Sequence, residues 1–493
     1  MNRPIQEFSL TLSQVAELIG AQFSGDEVRI NGVSHIDSEV IPGDLFAAIP
    51  GAKFHGAEFI PSAKKRGAVA VITDHAGALQ SAELPTLVVN DVRGAAAIAA
   101  TSLYRSPMRD LVTVGVTGTN GKTTVTTLVH QLCALAGREG GLIGTVETCI
   151  GNERLKSVRT TPEATELQAL AAVMRERHVR QLVMEVSSHA LAMGRMKGSH
   201  FSIAAFTNLT QDHLDFHQDM DSYFAAKSLL FTHELSDLAL INIDNQYGAK
   251  LAQNSVIQRK TISRNQTSAD WHFSELHPSS QGYEFAIRGP GGILIESRTS
   301  LVGGYNADNL LMAIALAVEI GIDPIEIATH APFAMGAAGR LQSISLGQPY
   351  KALVDYAHSP DAVKNVLNAA REFTTGKIIA VLGCGGDRDA SKRPQMGRAL
   401  LEGCDISIFT SDNPRSENPA HILEEMTTGL SIQAPSQIIS DRAEAIAYAV
   451  RCAKPGDSIL VLGKGHEQGQ EMSGKIVDFD DRLVLAAAIE GTS

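Results

Sequence analysis

Apolar positions fall into two spacings along this chain. Short aliphatic runs at residues 69–73 and 87–89 predict strands, and the alanine-rich stretch 94–103 predicts a helix. They describe a small mixed α/β unit, closed where Ser106-Pro107 breaks the pattern. A β-branched run at 111–117 predicts the next strand, which meets a glycine-bearing turn at 118–121. From Lys122 onward Val125, Leu128, Val129 and Leu132 recur at helical spacing. Continuous apolar runs at 181–186, 203–208 and 238–243 predict buried strands. Helical segments separate them, which is the alternation of a parallel α/β sheet.

Residues 258–301 follow another pattern. They are rich in Thr, Ser and Gly, carry turn signals and hold the only tryptophan, Trp271. Antiparallel hairpins appended to the sheet are expected there. After a boundary near 337–340 the alternation resumes, with strands at 352–356, 378–382, 406–411 and 459–462 and helices at 360–371 and 442–452. The fold class is therefore α/β in three domains. A small mixed α/β domain spans 1–107, a central parallel-sheet domain with a phosphate loop spans 108–337, and a Rossmann-like domain spans 338–493.

Composition narrows the function. The 493 residues carry 42 basic and 54 acidic side chains, a net charge of −12 that argues against nucleic acid or an anionic membrane as partner. With 44% hydrophobic and 19% charged residues the chain is not a disordered one. Five scattered cysteines without a CxxC pair give neither a disulfide framework nor a zinc site, and fit a reducing compartment. The start MNRPIQEFSLTLSQ lacks the pattern of a signal peptide, and no apolar run is long enough to span a membrane. A cytoplasmic monomer is expected.

The strongest local signal is Gly118-Thr119-Asn120-Gly121-Lys122-Thr123-Thr124 between strand and helix. Glycines let several N–H groups converge on one anion, and the helix N-terminus adds partial positive charge. Lys122 has the reach for terminal phosphates, and the Thr123 hydroxyl suits Mg²⁺. The full P-loop spelling fails at Val116, where it wants glycine, so only the compact form GTNGKT matches. Glu185 ends an apolar strand, a position for Mg²⁺ or for an ordinary strand-end carboxylate. NLTQDHLDFH at 208–217, with His213, follows another strand and reads as a metal or phosphate cluster or as a polar surface loop. Lys227 stands in the apolar FAAKSLLF, as a snorkelling side chain or as a functional lysine, and physics alone favours the snorkel.

GTNGKTT, EVSSH at 185–189, NLTQDHLDFH and FAAKSLLF together resemble the Mur ligase family, over essentially the whole chain. The resemblance implies that ATP phosphorylates a substrate carboxylate and that an amine attacks the acyl phosphate. It implies Mg²⁺ held by Thr123 and Glu185, and a second Mg²⁺ held by His213 and a carbamylated Lys227. It further assigns Asn306, Arg340 and Asp355 to ATP. Ser38, Thr160, Thr161, Ser187 and Arg195 are assigned to a UDP-muramoyl dipeptide. Glu39 stands where the family usually has arginine, and Met193 replaces a commonly polar residue.

Three motifs at predicted strand ends bear on the amine. They are GCGGDRD with Arg388, Asp412-Asn413-Pro414-Arg415, and GKGHE with Gly463 and Glu467. Arginine forks bind carboxylates and a glutamate suits an ammonium. DNPR resembles the motif of family members that add meso-diaminopimelate, whose distal end carries both groups. Lysine would leave Arg415 without its partner. The alternatives are a lysine-adding relative, a folylpolyglutamate synthase-like ligase, and a nucleotide-dependent switch protein without an amino-acid pocket.

Overall fold

The short apolar runs become strands of three main sheets in the computed structural model, which describes residues 3–51, 53–80, 83–279 and 282–491. The chain divides into two compact units. The first is Met1–His272 with Arg288–Ile293 and Leu311–Ile327; the second is Phe273–Ile287, Leu294–Leu310 and Ala328–Ser493.

In the first unit, β1 (Phe23–Ser24), β2 (Gly32–Ser34), β3 (Asp44–Ala47), β4 (Ala70–Thr73) and β5 (Thr86–Val88) form a sheet ordered β1-β5-β4-β3-β2. Only β1 runs antiparallel to its neighbour. Helix α1 (Val92–Leu103) starts where the Asp91 carboxylate accepts from Gly94 N at 2.9 Å. Its Ala95, Ala96, Ala99 and Ala100 are buried, packing with Val33, Leu45, Ile72 and Leu87.

The central sheet contains β6 (Val112–Thr117), followed by α2 (Lys122–Leu135). Strands β7 (Gly140–Ile143), β8 (Glu147–Ile150) and β9 (Glu153–Lys156) come next, then α3 (Ala164–Glu176). Strand β10 (Gln181–Glu185), α4 (Ser188–Ala192), β11 (Phe201–Phe206), α5 (Met220–Ser228) and β12 (Ser236–Asn242) complete its middle. Strands β13 (Gln258–Ser263) and β14 (Trp271–Ser279) extend it, in the order β9-β8-β7-β10-β6-β11-β12-β13-β14. From β7 to β13 every pairing is parallel, so Thr117, Glu185 and Phe206 end at one edge. Burial on both faces explains the uninterrupted apolar runs. Ala169 and Ala172 of α3 join the core cluster of the N-terminal sheet, so the two sheets share packed side chains.

The expectation of antiparallel hairpins is corrected for residues 258–272. Strand β13 pairs parallel with β12, and β14 begins parallel to β13, with Ile262 opposite Trp271. The buried Trp271 is held at that position by Nε1 donating to Glu319 Oε1 at 3.3 Å. Strands β15 (Gly282–Gly289) and β16 (Ile293–Thr299) follow β14 in sheet order as in chain order. Helix α6 (Gly304–Glu319) comes next.

The sheet of the second unit contains β17 (Gln342–Ser343), β18 (Lys351–Asp355), β19 (Ile378–Cys384), β20 (Ile406–Ser411), β21 (Gln437–Ile438) and β22 (Ser458–Leu462). Their order is β17-β18-β22-β19-β20-β21, parallel except at β17. Helices α7 (Pro360–Phe373), α8 (Arg393–Gly403) and α9 (Arg442–Cys452) connect the strands, and a hairpin of β23 (Gly469–Met472) and β24 (Lys475–Asp478) follows β22. The loops after β18, β19, β20 and β22 meet at one edge, where ligands bind in sheets of this kind.

Candidate active site

Gly118 follows β6 with φ 147°, and a Cβ there would lie 1.9 Å from the Thr207 hydroxyl, so the turn admits only glycine. The segment after β11 straps the loop in place. Thr119 N donates to Asn208 O at 2.9 Å, Asn120 N to Asn208 Oδ1 at 3.0 Å, and Thr207 Oγ1 to Asn120 O at 2.6 Å. Gly121, with φ 88°, leads into α2, where Thr123 and Thr124 are buried in the first turn. Lys122 Nζ folds back on the carbonyls of Gly118 and Thr119 at 2.9 and 2.8 Å. The result is a loop held by Asn208 that delivers a helix N-terminus suited to phosphate.

Glu185 is buried at the end of β10. Its carboxylate accepts from Thr123 Oγ1 at 3.0 Å, Thr145 N at 2.7 Å and Thr145 Oγ1 at 3.1 Å. A hydroxyl and a carboxylate side by side are the hard oxygen donors that Mg²⁺ takes.

Lys227 does not snorkel, which corrects the simple reading of its helix. Only 1% of it is exposed, and its Nζ donates to Gly118 O at 2.7 Å while lying 4.7 Å above the Tyr223 ring. Burial, reinforced by the charge of Lys122, lowers its pKa well below the usual lysine value. A lowered pKa increases the share of neutral amine, the form of a lysine that acts as a nucleophile. His213 is half exposed, packs edge-on against His189 with centroids 4.9 Å apart and lies edge-on to Tyr223 at 6.3 Å. Among the described residues no three His, Cys, Asp or Glu side chains converge on a metal position. The structure thus pairs Thr123 with Glu185, and separately sets Lys227 and His213 around Tyr223.

Thr161 Oγ1 bridges the end of β10 and the cap of α4, donating to Glu185 O at 2.9 Å and accepting from Ser187 N at 3.0 Å. Thr160 Oγ1 meets Thr145 Oγ1 at 3.0 Å, and Ser187 caps α4 through Ala190 N. Arg195 reaches Thr161 O at 3.3 Å and pairs with Glu163 at 2.9 Å. The buried Glu163 also takes Arg93 of α1 at 2.9 Å, with Arg159 at 3.9 Å, which joins the N-terminal and central sheets through one carboxylate. Ser38 is exposed beside Glu39, which lines a cleft of about 250 Å³ with Thr148, Arg159 and Glu166.

In the second unit, Asp355 ends β18 and accepts from Leu341 N at 2.7 Å and Ala357 N at 2.8 Å. Burial pushes its carboxyl up, against the pull of Arg340. Arg340 lies 4.9 Å over the Tyr356 ring. Asn306, buried in the first turn of α6, donates to Val302 O at 3.0 Å and accepts from Asn309 at 3.3 Å.

The loops after β19, β20 and β22 converge. A Cβ on Gly385 would lie 3.0 Å from Arg415 Nη1 and 3.8 Å from Arg388 Cγ, so the two arginines flank one glycine. Arg415, at φ 53°, donates to Gly386 O at 2.7 Å and lies 3.4 Å from Glu471. Asn413 Nδ2 donates to Glu467 Oε2 at 2.7 Å. A Cβ on Gly463 would lie 2.6 Å from Asp412 Oδ2, and Glu417 N donates to Pro414 O at 3.0 Å. Asp412 is buried, which raises its carboxyl pKa, with Arg442 and Lys464 opposing.

Sequence reasoning missed the charges that hold these loops. Arg442 of α9 grips Asp481 with Nε and Nη2 at 2.7 and 2.6 Å and donates to the carbonyls of Ser411 and Leu462, tying β20 to β22. Arg393 binds Glu417 through two bonds of 2.8 Å and reaches Gly385 O at 3.3 Å. Lys464 is fully buried. Its place inside GKGHE, directly after a strand, was the one available signal.

Three family descriptions match the chain: "Mur ligase family, catalytic domain" at residues 29–104, "Mur ligase middle domain" at 116–317, and "Mur ligase, glutamate ligase domain" at 339–465. The UDP-N-acetylmuramoyl-L-alanyl-D-glutamate–2,6-diaminopimelate ligase of Streptomyces coelicolor is 47% identical, covering 99% of this chain and 98% of the relative. The enzyme of the same name from Corynebacterium glutamicum is 42% identical over 92% and 91%. A solved structure of a ligase with that name is 32% identical, with TM-score 0.69 and coverage of 94% and 95%.

Proposed function

The chain belongs to the Mur ligase family, and from that premise we propose that it joins 2,6-diaminopimelate to the D-glutamate carboxyl of UDP-N-acetylmuramoyl-L-alanyl-D-glutamate at the expense of ATP. The observation that carries the choice of amine is the pocket edge of the second unit. There Arg415 and Arg388 flank Gly385 while Glu467 sits against Asn413, which offers a cation for a distal carboxylate and an anion for an ammonium.

Residues 1–107 would take the UDP end, 108–337 ATP and the reacting carboxylate, and 338–493 the amine. The substrate carboxylate oxygen attacks the γ-phosphorus, the bond to the β-phosphate oxygen breaks, and ADP leaves. The diaminopimelate amine then attacks the acyl carbon, phosphate departs, and the amine loses a proton as the amide forms. The loop at 118–124 would cradle the phosphates, with Lys122 exchanging its two loop carbonyls for phosphate oxygens. Thr161, Ser187 and Arg195 would orient the dipeptide, with Thr160 beside them and Ser38 toward its nucleotide. Asn306, Arg340 and Asp355 would contact the nucleotide. Thr123 and Glu185 would hold one Mg²⁺, and His213 with carbamylated Lys227 a second. The metal would neutralise charge between two anionic reactants. The five free thiols fit a reducing, cytoplasmic setting.

Purified protein given ATP and the UDP-linked dipeptide is expected to release ADP and phosphate only when diaminopimelate is added, and to stop on chelation until Mg²⁺ is restored. Lysine is expected to work at least about a hundredfold less well, because it brings no distal carboxylate to Arg415 and Arg388. Equal turnover with lysine, or no turnover with either amine, would refute the reading.

A further inference from the structure

We infer that Lys464 is a positioning residue for the incoming amine, acting through Asn413 and Glu467; the inference rests on the proposed amino-acid pocket. Lys464 is wholly buried, directly after β22. Its Nζ has three donors and finds three acceptors: Asn413 Oδ1 at 3.0 Å, Glu467 Oε2 at 3.2 Å and Gly469 O at 2.7 Å.

This arrangement decides how two neighbouring groups face the pocket. Asn413 Oδ1 accepts from Lys464 and from Glu471 N at 3.0 Å, so its amide has one orientation and its Nδ2 is left to donate. That Nδ2 donates to Glu467 Oε2 at 2.7 Å, the same oxygen that Lys464 binds. Two donors on Oε2 fix the plane of the carboxylate. Among the described residues Oε1 has no hydrogen-bond partner, and the side chain is one-third exposed. A carboxylate with one oxygen engaged and the other presented is suited to a substrate ammonium at a set angle. Lys464 therefore sets the direction of the substrate-binding carboxylate without touching substrate. Its charge also opposes the burial that raises the neighbouring Asp412 carboxyl.

The test compares Lys464→Met with wild type in steady-state kinetics, varying diaminopimelate and ATP separately, alongside Glu467→Gln and the double variant. Expected for Lys464→Met is a rise of about tenfold to a hundredfold in the KM for diaminopimelate, with the KM for ATP near wild type. The double variant is expected to be no worse than Glu467→Gln alone, because both changes remove one interaction. Lys464→Arg, which keeps charge and donors, is expected to recover part of the loss. Should Lys464→Met fail to fold, Lys464→Gln, with an N–H donor in place of the ammonium, is read by the same split. Equal increases in both KM values, an unchanged KM for diaminopimelate, or additive losses in the double variant would overturn the inference. Wild type that uses no diaminopimelate would instead defeat the proposed function itself.

Discussion

Lys227 Nζ donates to the carbonyl oxygen of Gly118 at 2.7 Å, fastening α5 to the first residue of the phosphate loop. Carbamylation would convert the amine into an amide-like nitrogen that keeps one N–H. The bond to Gly118 therefore survives the modification, while the new oxygens extend beyond it. Lys227→Ala is expected to lower turnover by roughly a hundredfold or more. Acetate or formate diffusing into the vacated space is expected to restore part of it. Near-normal turnover in the alanine variant would show that the lysine is only a strut.

Arg415→Ala separates the amine from the nucleotide. The arginine lies beside Gly385 and Gly386, among the loops after β19 and β20. Losing it is expected to raise the KM for diaminopimelate about tenfold to a hundredfold and to narrow the preference over lysine. The KM for ATP should stay near wild type. Matching losses for both substrates, measured by initial rates, would remove Arg415 from the pocket.

Glu163 is shared by Arg93 and Arg195 at 2.9 Å each. Replacing it by alanine leaves half-buried guanidiniums facing one another, with an expected cost of about 2–3 kcal/mol, at or just below the usual range for breaking a buried pair. The same variant should raise the KM for the UDP-linked dipeptide, because Arg195 loses its anchor. Denaturant unfolding and initial rates check both halves. A stable variant with unchanged kinetics would mean the cluster is ornamental.

His35 gives a pH dependence. Burial lowers its pKa from 6.5 to about 4, and its Nδ1 meets Thr165 Oγ1 at 2.9 Å. The folded pKa lies below the unfolded one, so between pH 6.5 and 4 the unfolded chain binds more protons. Stability therefore falls as pH drops through that window, by up to about 3 kcal/mol from this residue. His35→Gln is expected to show a shallower loss over the same range in urea titrations. Parallel curves for the two proteins would rule out the contribution.

The phosphate loop was legible because all its information is local: strand, glycines, lysine and helix start are contiguous. The parallel strands were legible because burial on both faces leaves unbroken apolar runs. Strand direction at 258–263 was not, since the same Thr- and Ser-rich residues suit either pairing and the choice is made by β12 beside them. Arg442, Arg393 and Glu163 were invisible for a related reason. Their partners lie 39, 24 and 70 residues away in the sequence, and no periodicity marks an ion pair made across a fold. Lys227 misled because an apolar helix with one lysine reads the same whether the charge escapes or is trapped.

Ala169 and Ala172 of the central domain lie in the same core cluster as the N-terminal sheet. The break at Ser106-Pro107 is thus an interruption of the chain's pattern and not of its packing. Exposing those alanines would open both sheets, so the two are expected to melt as one cooperative block. On the proposed assignment, a UDP end bound at the N-terminal sheet would stabilise the phosphate loop's own scaffold by mass action, growing with the logarithm of ligand concentration above its Kd. The UDP-linked substrate would act as a folding ligand for the sheet that handles ATP, before any bond is made.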